Sequence, residues 1–290
     1  MKKKVLILGS LGMLGQELAR VFGEDDAYEV TALDKESIDV TNAHALRVLL
    51  ETNMFDVVCN AVAYNAVDLC EADDAAYTMA MALNKDVPAR LAEESARLGF
   101  TLVHYSTDYV FDGEAGEGYA EDAVPHPLSR YGYSKRAGEE AVLAQAKKYY
   151  VIRLSKLFGK PASSAQGKRS FFDVMLEAGK QKPEVKVVDS EKSCFTYAPD
   201  LALETKTMYE AQVPYGIYHM TNSHAVTWYE AVQTLYSMAQ MTTLVTPVSP
   251  DAFPRPAKRP VFSALLSTKR PPLRPYEEAL QEYLEQSPSS

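Results

Sequence analysis

The sequence predicts an α/β fold in which a doubly wound parallel sheet is followed by a smaller C-terminal region that binds substrate. Three observations lead to this prediction. Short apolar runs alternate with amphipathic helical patterns through the first half of the chain, as in a sheet covered on both faces. A glycine-rich turn follows the first apolar run directly. The strand–helix alternation weakens after residue 154, so we divide the chain into residues 1–154 and 155–290, and we allow for a helix and a strand of the second part that return to the first.

The first apolar run, Val5 to Leu8, leads into glycines at positions 9, 12 and 15 and then into a helical pattern. Gly9 permits a tight turn, Gly12 allows a pyrophosphate to approach the backbone, and Gly15 allows the helix to pack closely on the strand. This is a spacing variant of the dinucleotide fingerprint, and it predicts a Rossmann-like domain that binds NAD or NADP. The predicted cofactor contacts in this turn are Gly9, Leu11, Gly12, Met13, Leu14 and Gly15.

The second strand, Tyr28 to Leu33, ends in two charged residues of opposite sign. A carboxylate at Asp34 can accept hydrogen bonds from the adenosine ribose, which favours NAD, whereas Lys35 beside it can pair with the extra phosphate of NADP. The choice between NAD and NADP therefore stays open. The short turn that follows adds Asp39 and Val40 to the predicted cofactor site.

Small residues follow the third strand, which spans residues 56–60. They leave room for a flat ligand near the point where the strand order of an open sheet reverses. The cofactor contacts predicted here are Asn60, Ala61, Val62, Ala63 and Tyr64. Beyond them, residues 75–98 are predicted to form one continuous helix in which Asn84 is exposed.

The segment from Ser106 to Lys135 carries the candidate chemistry. A fourth strand, residues 100–105, delivers Thr107, and a helix over residues 128–147 carries Tyr131 and Lys135 on one face because they are four apart. We expect the Lys135 charge to lower the pKa of the Tyr131 phenol, and the Thr107 hydroxyl to hold a substrate oxygen. Such a trio can move a proton at a carbinol or carbonyl oxygen, so Thr107, Tyr131 and Lys135 are the predicted catalytic residues.

The C-terminal region is predicted to form a loop-rich lid. Residues 160–170 are polar and predict a mobile loop, and the Ser/Pro tail predicts frayed structure. Trp228, His104 and His219 lie in apolar patterns and are interpreted as core residues. Four basic residues of the lid either bind an anionic substrate such as a nucleotide diphosphate or are solvated surface charges. They are Lys258, Arg259, Lys269 and Arg270.

Composition limits the partners. The net charge of −9 argues against nucleic acid or an anionic membrane as the main partner. No apolar run approaches the roughly 20 residues of a membrane helix, and the three cysteines have no metal-binding spacing. We therefore expect a cytoplasmic protein with no bound metal.

With these residues assembled, the chain resembles the extended short-chain dehydrogenase/reductase superfamily, and within it the dTDP-4-dehydrorhamnose reductase family. The resemblance spans nearly the full length. Its most specific part is the string Ser106-Thr107-Asp108-Tyr109-Val110-Phe111 followed by Tyr131 and Lys135. Other matching motifs are the glycine triplet, Asn60-Ala61-Val62-Ala63-Tyr64, Gly138-Glu139, Gly216-Ile217-Tyr218-His219, Thr227-Trp228-Tyr229-Glu230 and Pro256-Ala257-Lys258-Arg259-Pro260.

The resemblance implies an NAD(P)H-dependent reductase of a nucleotide-linked 4-keto-6-deoxysugar, acting in deoxysugar or polysaccharide biosynthesis as a monomer or homodimer. It implies that Tyr131 donates a proton to the C4 oxygen while the cofactor delivers hydride to the carbon. Lys135 also holds the nicotinamide ribose. The substrate-binding residues that it implies are Val67, Asp68, Thr107, Asp108, Lys156 and Arg259.

Three positions depart from the family pattern, and all lie in the substrate half. Lys156 stands where the family has a tryptophan, Ser190 where it has glutamine, and Phe262 where it has asparagine. The reductase chemistry is therefore better supported than the identity of the sugar. Two alternatives stay open, a non-catalytic cofactor-binding regulatory subunit and a nucleotide-sugar epimerase. A dehydratase is disfavoured because Tyr109, not an acid, follows Asp108.

Overall fold

A computed structural model describes residues 1–163 and 169–286 of the chain. Most of the predicted mobile loop, residues 164–168, and the predicted frayed tail, residues 287–290, lie outside the described residues. Fourteen strands are present in the described part of the chain. They are β1 (Lys3–Leu8), β2 (Tyr28–Leu33), β3 (Val57–Asn60), β4 (Thr101–Thr107), β5 (Tyr149–Leu154), β6 (Leu157–Phe158), β7 (Glu184–Val188), β8 (Lys192–Ser193), β9 (Thr196–Tyr197), β10 (Gly216–His219), β11 (Asn222–Ser223), β12 (Val226–Thr227), β13 (Leu244–Val248) and β14 (Leu273–Pro275).

Ten α-helices accompany these strands in the same described ranges. They are α1 (Met13–Gly23), α2 (Ala43–Asn53), α3 (Val67–Ala72), α4 (Asp74–Met81), α5 (Val87–Leu98), α6 (Arg130–Gln145), α7 (Phe171–Gln181), α8 (Ala198–Glu210), α9 (Trp228–Met238) and α10 (Tyr276–Gln286). Two short 3₁₀ turns cover Asp108–Val110 and Pro250–Ala252.

The central sheet has six parallel strands in the order β10-β5-β4-β3-β1-β2, which confirms the predicted α/β fold. The order reverses at β1, because β2 lies on one side of it and β3 on the other. The carboxyl ends of β1 and β3 therefore open a crevice at the edge of the sheet where ligands bind in this class of fold.

Each face of the sheet buries its own apolar core. Ile7 and Ile152 pack on one face with Leu18 of α1 and Leu201 of α8. Leu6, Val58 and Val151 pack on the other face, together with residues of α2, α5 and α6. Because side chains alternate along a strand, the apolar runs over residues 5–8 of β1 and 149–152 of β5 supply both cores. Since α8 packs on α1 and β10 pairs with β5, part of the chain beyond residue 154 belongs to the sheet layer.

The remaining C-terminal segments form a third core of aromatic side chains. Phe158, Phe172 and Phe195 stack near one another, with Tyr236 of α9 and Tyr283 of α10 in the same cluster. Two-stranded ladders, including parallel β7–β13 and antiparallel β8–β12, frame this core. Strand β13 was not predicted. In the described residues no helix has the length and apolar character needed to span a membrane.

The predicted continuous helix over residues 75–98 is wrong in its middle. A π-helical turn, Ala82–Asp86, separates α4 from α5, and Asn84 lies within it. Asn84 is fully buried, which corrects the expectation that it is exposed. The inserted turn changes which way the side chain points, since π turns shift the register of the helix faces.

Candidate active site

The glycine turn forms a concave backbone surface after β1. A Cβ at Gly15 would lie 2.0 Å from the Gly9 carbonyl oxygen, and one at Gly9, where φ is +80°, would meet the Ala61 backbone at 3.0 Å. Helix α1 starts at Met13 with Gly12 as its N-cap and no side-chain hydrogen bond covering its first N–H groups. A free helix N-terminus behind a turn that excludes side chains fits a pyrophosphate. These residues therefore fit a dinucleotide cofactor.

Asp34 follows β2 and stabilises the glycine turn through hydrogen bonds. Its Oδ2 accepts a hydrogen bond from the Leu11 N–H at 3.0 Å, and its Oδ1 accepts one from the Lys35 N–H at 2.8 Å. Asp39 accepts from the N–H and the hydroxyl of Thr41 at 2.9 and 2.6 Å. Thus Asp34 lies beside the glycine turn as predicted, while its contact with a ribose stays a prediction.

The segment after β3 is held in place by two buried amide side chains. Asn60 Oδ1 accepts from the Val62 N–H at 3.3 Å. Asn84 Oδ1 accepts from the Tyr64 N–H at 2.8 Å, and its Nδ2 donates to the Tyr64 carbonyl at 2.9 Å. The same Nδ2 donates to Ser134 Oγ on α6 at 2.9 Å. Asn84 therefore links the predicted cofactor segment to the helix that carries Tyr131, a role that no sequence pattern indicated.

The three predicted catalytic residues come together at the carboxyl end of β4. Thr107 ends that strand, and Tyr131 and Lys135 occupy the first two turns of α6, which Ser129 caps. All three side chains are buried, and the Thr107 hydroxyl is close enough to the Tyr131 phenol to lower its pKa. Lys135 Nζ donates to the Tyr105 carbonyl at 2.6 Å.

The electrostatics of the trio differ from the sequence-based expectation. Burial raises the pKa of the Tyr131 phenol, Thr107 lowers it and Asp108 raises it further. The expectation that Lys135 lowers the pKa of Tyr131 is therefore wrong. Burial has the larger effect on the phenol, and the Lys135 ammonium donates its hydrogen bond to the Tyr105 carbonyl instead. Burial also lowers the pKa of Lys135 to about 8. The phenol is thus held in its neutral, proton-carrying form at neutral pH.

Asp108 lies next to the trio and is almost fully buried. It accepts hydrogen bonds from Thr107 Oγ1 at 3.1 Å and from Ser263 Oγ at 2.6 Å. Burial raises the pKa of this carboxyl to about 6, against the opposing effects of Ser263 and Lys156. Ser263, which belongs to the C-terminal region, is a site residue that the sequence reasoning missed.

Asp68 and Arg259 form a two-pronged ion pair between α3 and the C-terminal region. The Arg259 Nη1–Asp68 Oδ1 and Nη2–Asp68 Oδ2 distances are 2.5 and 2.6 Å, and the Ala257 N–H donates to Asp68 at 3.2 Å. The pairing with Arg259 lowers the pKa of Asp68. Val67, at the start of α3, packs beside Tyr131.

The other basic residues of the lid do not join Arg259. Arg270 pairs with Glu204 on α8, and Lys269 Nζ donates to the Ile217 carbonyl on β10 at 2.9 Å. Arg255, which the sequence reasoning missed, instead pairs with the buried Glu191. Of the four basic residues named for the lid, Arg259 and Arg270 are thus paired with carboxylates and Lys269 lies on β10, while binding of an anionic substrate by any of them stays a prediction.

Lys156 lies between aromatic rings. Its Nζ lies 3.9 Å from the ring centroid of Trp228 and 4.9 Å from that of Phe195. Trp228 is only half-buried, and its Nε1 donates to Glu191 at 3.2 Å, so it borders this site as well as packing on the C-terminal core. His104 and His219 are buried, as predicted.

Within residues 1–163 and 169–286, no group of three or more His, Cys, Asp or Glu side chains is arranged to hold a metal ion. All three cysteines are buried.

Comparison with known proteins agrees with this geometry. Residues 2–288 match the family model described as RmlD substrate binding domain. The chain is 38% identical to a probable dTDP-4,6-dihydroxy-2-methyloxan-3-one 4-ketoreductase of Streptomyces antibioticus, over 96% of this chain and 93% of that protein. It is 35% identical to the dTDP-4-dehydrorhamnose reductase of Streptomyces griseus, over 96% of this chain and 91% of that one.

Among solved structures, the fold is similar to that of dTDP-4-dehydrorhamnose reductase from Bacillus anthracis in complex with NADP. The TM-score is 0.92 and the identity 30%, with 99% of this chain and all of that chain covered. The glycine cradle, the buried Thr–Tyr–Lys trio and these full-length matches agree with one another. The chain therefore belongs to the dTDP-4-dehydrorhamnose reductase family, a group of NAD(P)-dependent reductases within the extended short-chain dehydrogenase/reductase superfamily.

Proposed function

We propose that this protein reduces the 4-keto group of a dTDP-linked 4-keto-6-deoxysugar. The observation that carries the proposal is the buried trio of Thr107, Tyr131 and Lys135 at the same sheet edge as the glycine cradle. A ketone reduction needs a hydride and a proton, and the bound NAD(P)H supplies the hydride. The protein's own contribution is to hold the carbonyl and deliver the proton.

In this proposal Tyr131 gives its phenolic proton to the C4 oxygen as that oxygen becomes an alkoxide. Its raised pKa suits this role, because the phenol stays protonated until a strong base forms beside it. Thr107 orients the same oxygen through its hydroxyl. Lys135, whose pKa is about 8, carries positive charge at neutral pH and would stabilise the negative charge that develops on the C4 oxygen.

Asp68, Asp108, Val67 and Arg259 are the residues to which we assign the sugar nucleotide. Asp108 lies behind Thr107, and the Asp68–Arg259 pair closes the site from the lid side. With Asp68 neutralising much of its charge, Arg259 keeps further N–H donors for a phosphate or sugar oxygen.

The test is a direct assay. Purified protein is mixed with a dTDP-4-keto-6-deoxysugar and NADPH or NADH, and the absorbance of the reduced nicotinamide is followed. Consumption of either cofactor supports the proposal. Cofactor binding without turnover on any sugar nucleotide would point to a regulatory subunit, and a change in the sugar without net cofactor oxidation would point to an epimerase.

The matched variant for this assay is Tyr131→Phe, which removes only the phenolic oxygen. We expect kcat to fall by roughly 10²–10⁴-fold, because general acid catalysis is typically worth that much. The dissociation constant for NADPH should change little. Undiminished turnover by this variant would remove Tyr131 from the mechanism.

We further infer a cytoplasmic protein that is a monomer or a homodimer. The supporting facts are the acidic, charge-rich composition and the biosynthetic role of the family. Light scattering on the purified protein measures the mass and distinguishes the two states from a larger assembly.

A further inference from the structure

Lys156 follows β5 in an unusual backbone conformation. Its φ is +42°, in the left-handed region that residues other than glycine rarely adopt. The flanking chain is fixed by Thr196, whose hydroxyl donates to the Ser155 carbonyl at 2.7 Å and accepts from the Ser155 N–H at 3.3 Å. The Thr196 N–H donates to the Lys156 carbonyl at 3.4 Å. The tertiary structure therefore imposes the direction of the Lys156 side chain, and such enforced conformations cluster at functional sites.

The ammonium group at the end of this side chain is buried and has no hydrogen-bond partner among the described residues. Its contacts are with the faces of Trp228 and Phe195. An ammonium carries three donors, and burying it without an acceptor is unfavourable. Burial accordingly lowers the pKa of Lys156 to about 7, although Asp108 and Glu191 act in the opposite direction.

The two nearby carboxylates already have partners of their own. Asp108 accepts from Thr107 and Ser263, and Glu191 accepts from Arg255 and Trp228. Neither lies within hydrogen-bonding distance of Lys156. The donors of Lys156 are therefore left without a partner in the protein, and the electrostatic influence of Asp108, which hydrogen-bonds with Thr107, puts the ammonium group in the neighbourhood of the trio.

We propose that Lys156 is a specificity-determining residue that donates a hydrogen bond to an oxygen substituent, hydroxyl or carbonyl, on the sugar ring held against Thr107. This inference rests on the proposed function. The tryptophan expected here from the family pattern offers an apolar face, whereas lysine offers a charged donor. The site thus selects sugars that carry an acceptor oxygen at this position over sugars with a methylene or an ammonium group there.

How strongly the site discriminates between these sugars depends on the burial of the Lys156 ammonium group. A site with a buried donor rejects an analogue that lacks the acceptor, because the donor is then left without a partner. An amino sugar is rejected further by repulsion between two cations in a site shielded from water.

The first experiment measures binding rather than turnover. Lys156→Met keeps the apolar stem between the two rings and removes the donors. Calorimetry with saturating NADP compares dTDP-L-rhamnose with dTDP alone. We expect the variant to bind dTDP-L-rhamnose roughly 10- to 100-fold more weakly than the wild type, and dTDP within about twofold.

Two controls accompany it. Lys147→Met changes an exposed lysine on the turn that precedes β5 and should leave both affinities unchanged. The thermal midpoint of Lys156→Met should equal or exceed that of the wild type, because the variant removes an unpaired buried charge. Equal weakening for dTDP-L-rhamnose and dTDP, or no weakening for either, overturns the inference.

A second experiment needs only the wild-type protein and so does not depend on the folding of a variant. Values of kcat/KM are compared for dTDP-4-dehydrorhamnose, whose reduction gives dTDP-L-rhamnose, and for its 2-deoxy and 3-deoxy analogues. We expect a loss of roughly tenfold or more for one analogue, and a loss of that discrimination in Lys156→Met. Equal kcat/KM for all three sugars overturns the inference while leaving the proposed function intact. No turnover of any of them, by contrast, contradicts the proposed function.

Discussion

At the scale of single residues, burial is the main influence on the titratable side chains of the site. Tyr131, Lys135, Asp108 and Lys156 each have a pKa displaced toward the neutral form, and desolvation is the largest cause in all four. Tyr131 therefore keeps its proton at neutral pH, whereas Asp108, Lys156 and Lys135, with pKa values of about 6, 7 and 8, titrate near neutrality. The Tyr–Lys spacing identified the residues, but only their surroundings decide their protonation.

The raised pKa of Asp108 predicts a stability effect with a defined sign. The carboxyl titrates near pH 6 in the folded protein and near its ordinary value when unfolded, so the unfolded state releases this proton first. Stability is therefore lost as pH rises from about 4 to 6. Relative to the wild type, Asp108→Asn should gain on the order of 2–3 kcal/mol of unfolding free energy over that interval.

Urea unfolding of both proteins at several pH values measures this difference. A difference in unfolding free energy between the wild type and Asp108→Asn that does not change with pH, whatever its size, reflects lost hydrogen bonds alone. Only a change of this difference with pH tests the predicted pKa of Asp108. A difference that stays the same at every pH would contradict the prediction.

At the scale of secondary structure, α6, which carries Tyr131 and Lys135, is positioned by the close approach of its backbone to the π-helical turn. A Cβ at Gly138 on α6 would lie 2.0 Å from the Asn84 carbonyl oxygen in the π-helical turn. Asn84 bonds both the Tyr64 backbone and Ser134. The distance between α6 and the segment after β3 is therefore set by Gly138 and by the buried side-chain amide of Asn84.

Gly138→Ala should destabilise the protein by about 1–3 kcal/mol or more, because the methyl group forces α6 away from the π-helical turn. The matched control is Gly23→Ala at the end of α1, where a Cβ meets nothing within 4 Å. That change should lie within about 0.5 kcal/mol of the wild type or stabilise slightly. Urea unfolding of the two variants measures both effects, and equal stabilities would refute this account of helix placement.

At the scale of the whole molecule, the lid is joined to the dinucleotide-binding part by polar contacts around the site. Asp68 with Arg259 and Asp108 with Ser263 each connect the two parts. Deeper in the molecule, the buried Arg153–Glu139 ion pair, with Nη2–Oε2 at 2.7 Å, ties β5 to α6. Residues 257–263 of the C-terminal region therefore complete the surroundings of Asp68 and Asp108.

Arg259→Met should raise KM for the sugar nucleotide by roughly tenfold or more, because it leaves Asp68 without its partner at the lid contact. The dissociation constant for NADPH should stay within about twofold, since no glycine-turn residue is involved. Arg270→Met, which removes the lid arginine paired with Glu204, is the control and should leave KM unchanged. Steady-state kinetics and cofactor titration measure both values, and an equal rise of KM in the two variants would exclude a specific role for Arg259.

Local patterns by themselves determined the doubly wound sheet, the glycine cradle and the Thr107–Tyr131–Lys135 trio. These features depend on short spacings, such as an apolar run before a glycine turn or two side chains four apart on a helix, which the chain encodes locally. The family resemblance supplied Asp68, Asp108, Lys156 and Arg259, but not their partners.

Tertiary structure alone decided the rest. Asn84 is buried because a π-helical turn rotates it inward, and Ser263 and Glu191 join the site from segments distant in sequence. The pKa of Tyr131 rises rather than falls because the depth of burial, which depends on how every layer packs, exceeds the effect of any single neighbouring charge. Contacts between distant segments and the loss of water around a group are collective properties of the folded chain, so no local pattern could contain them.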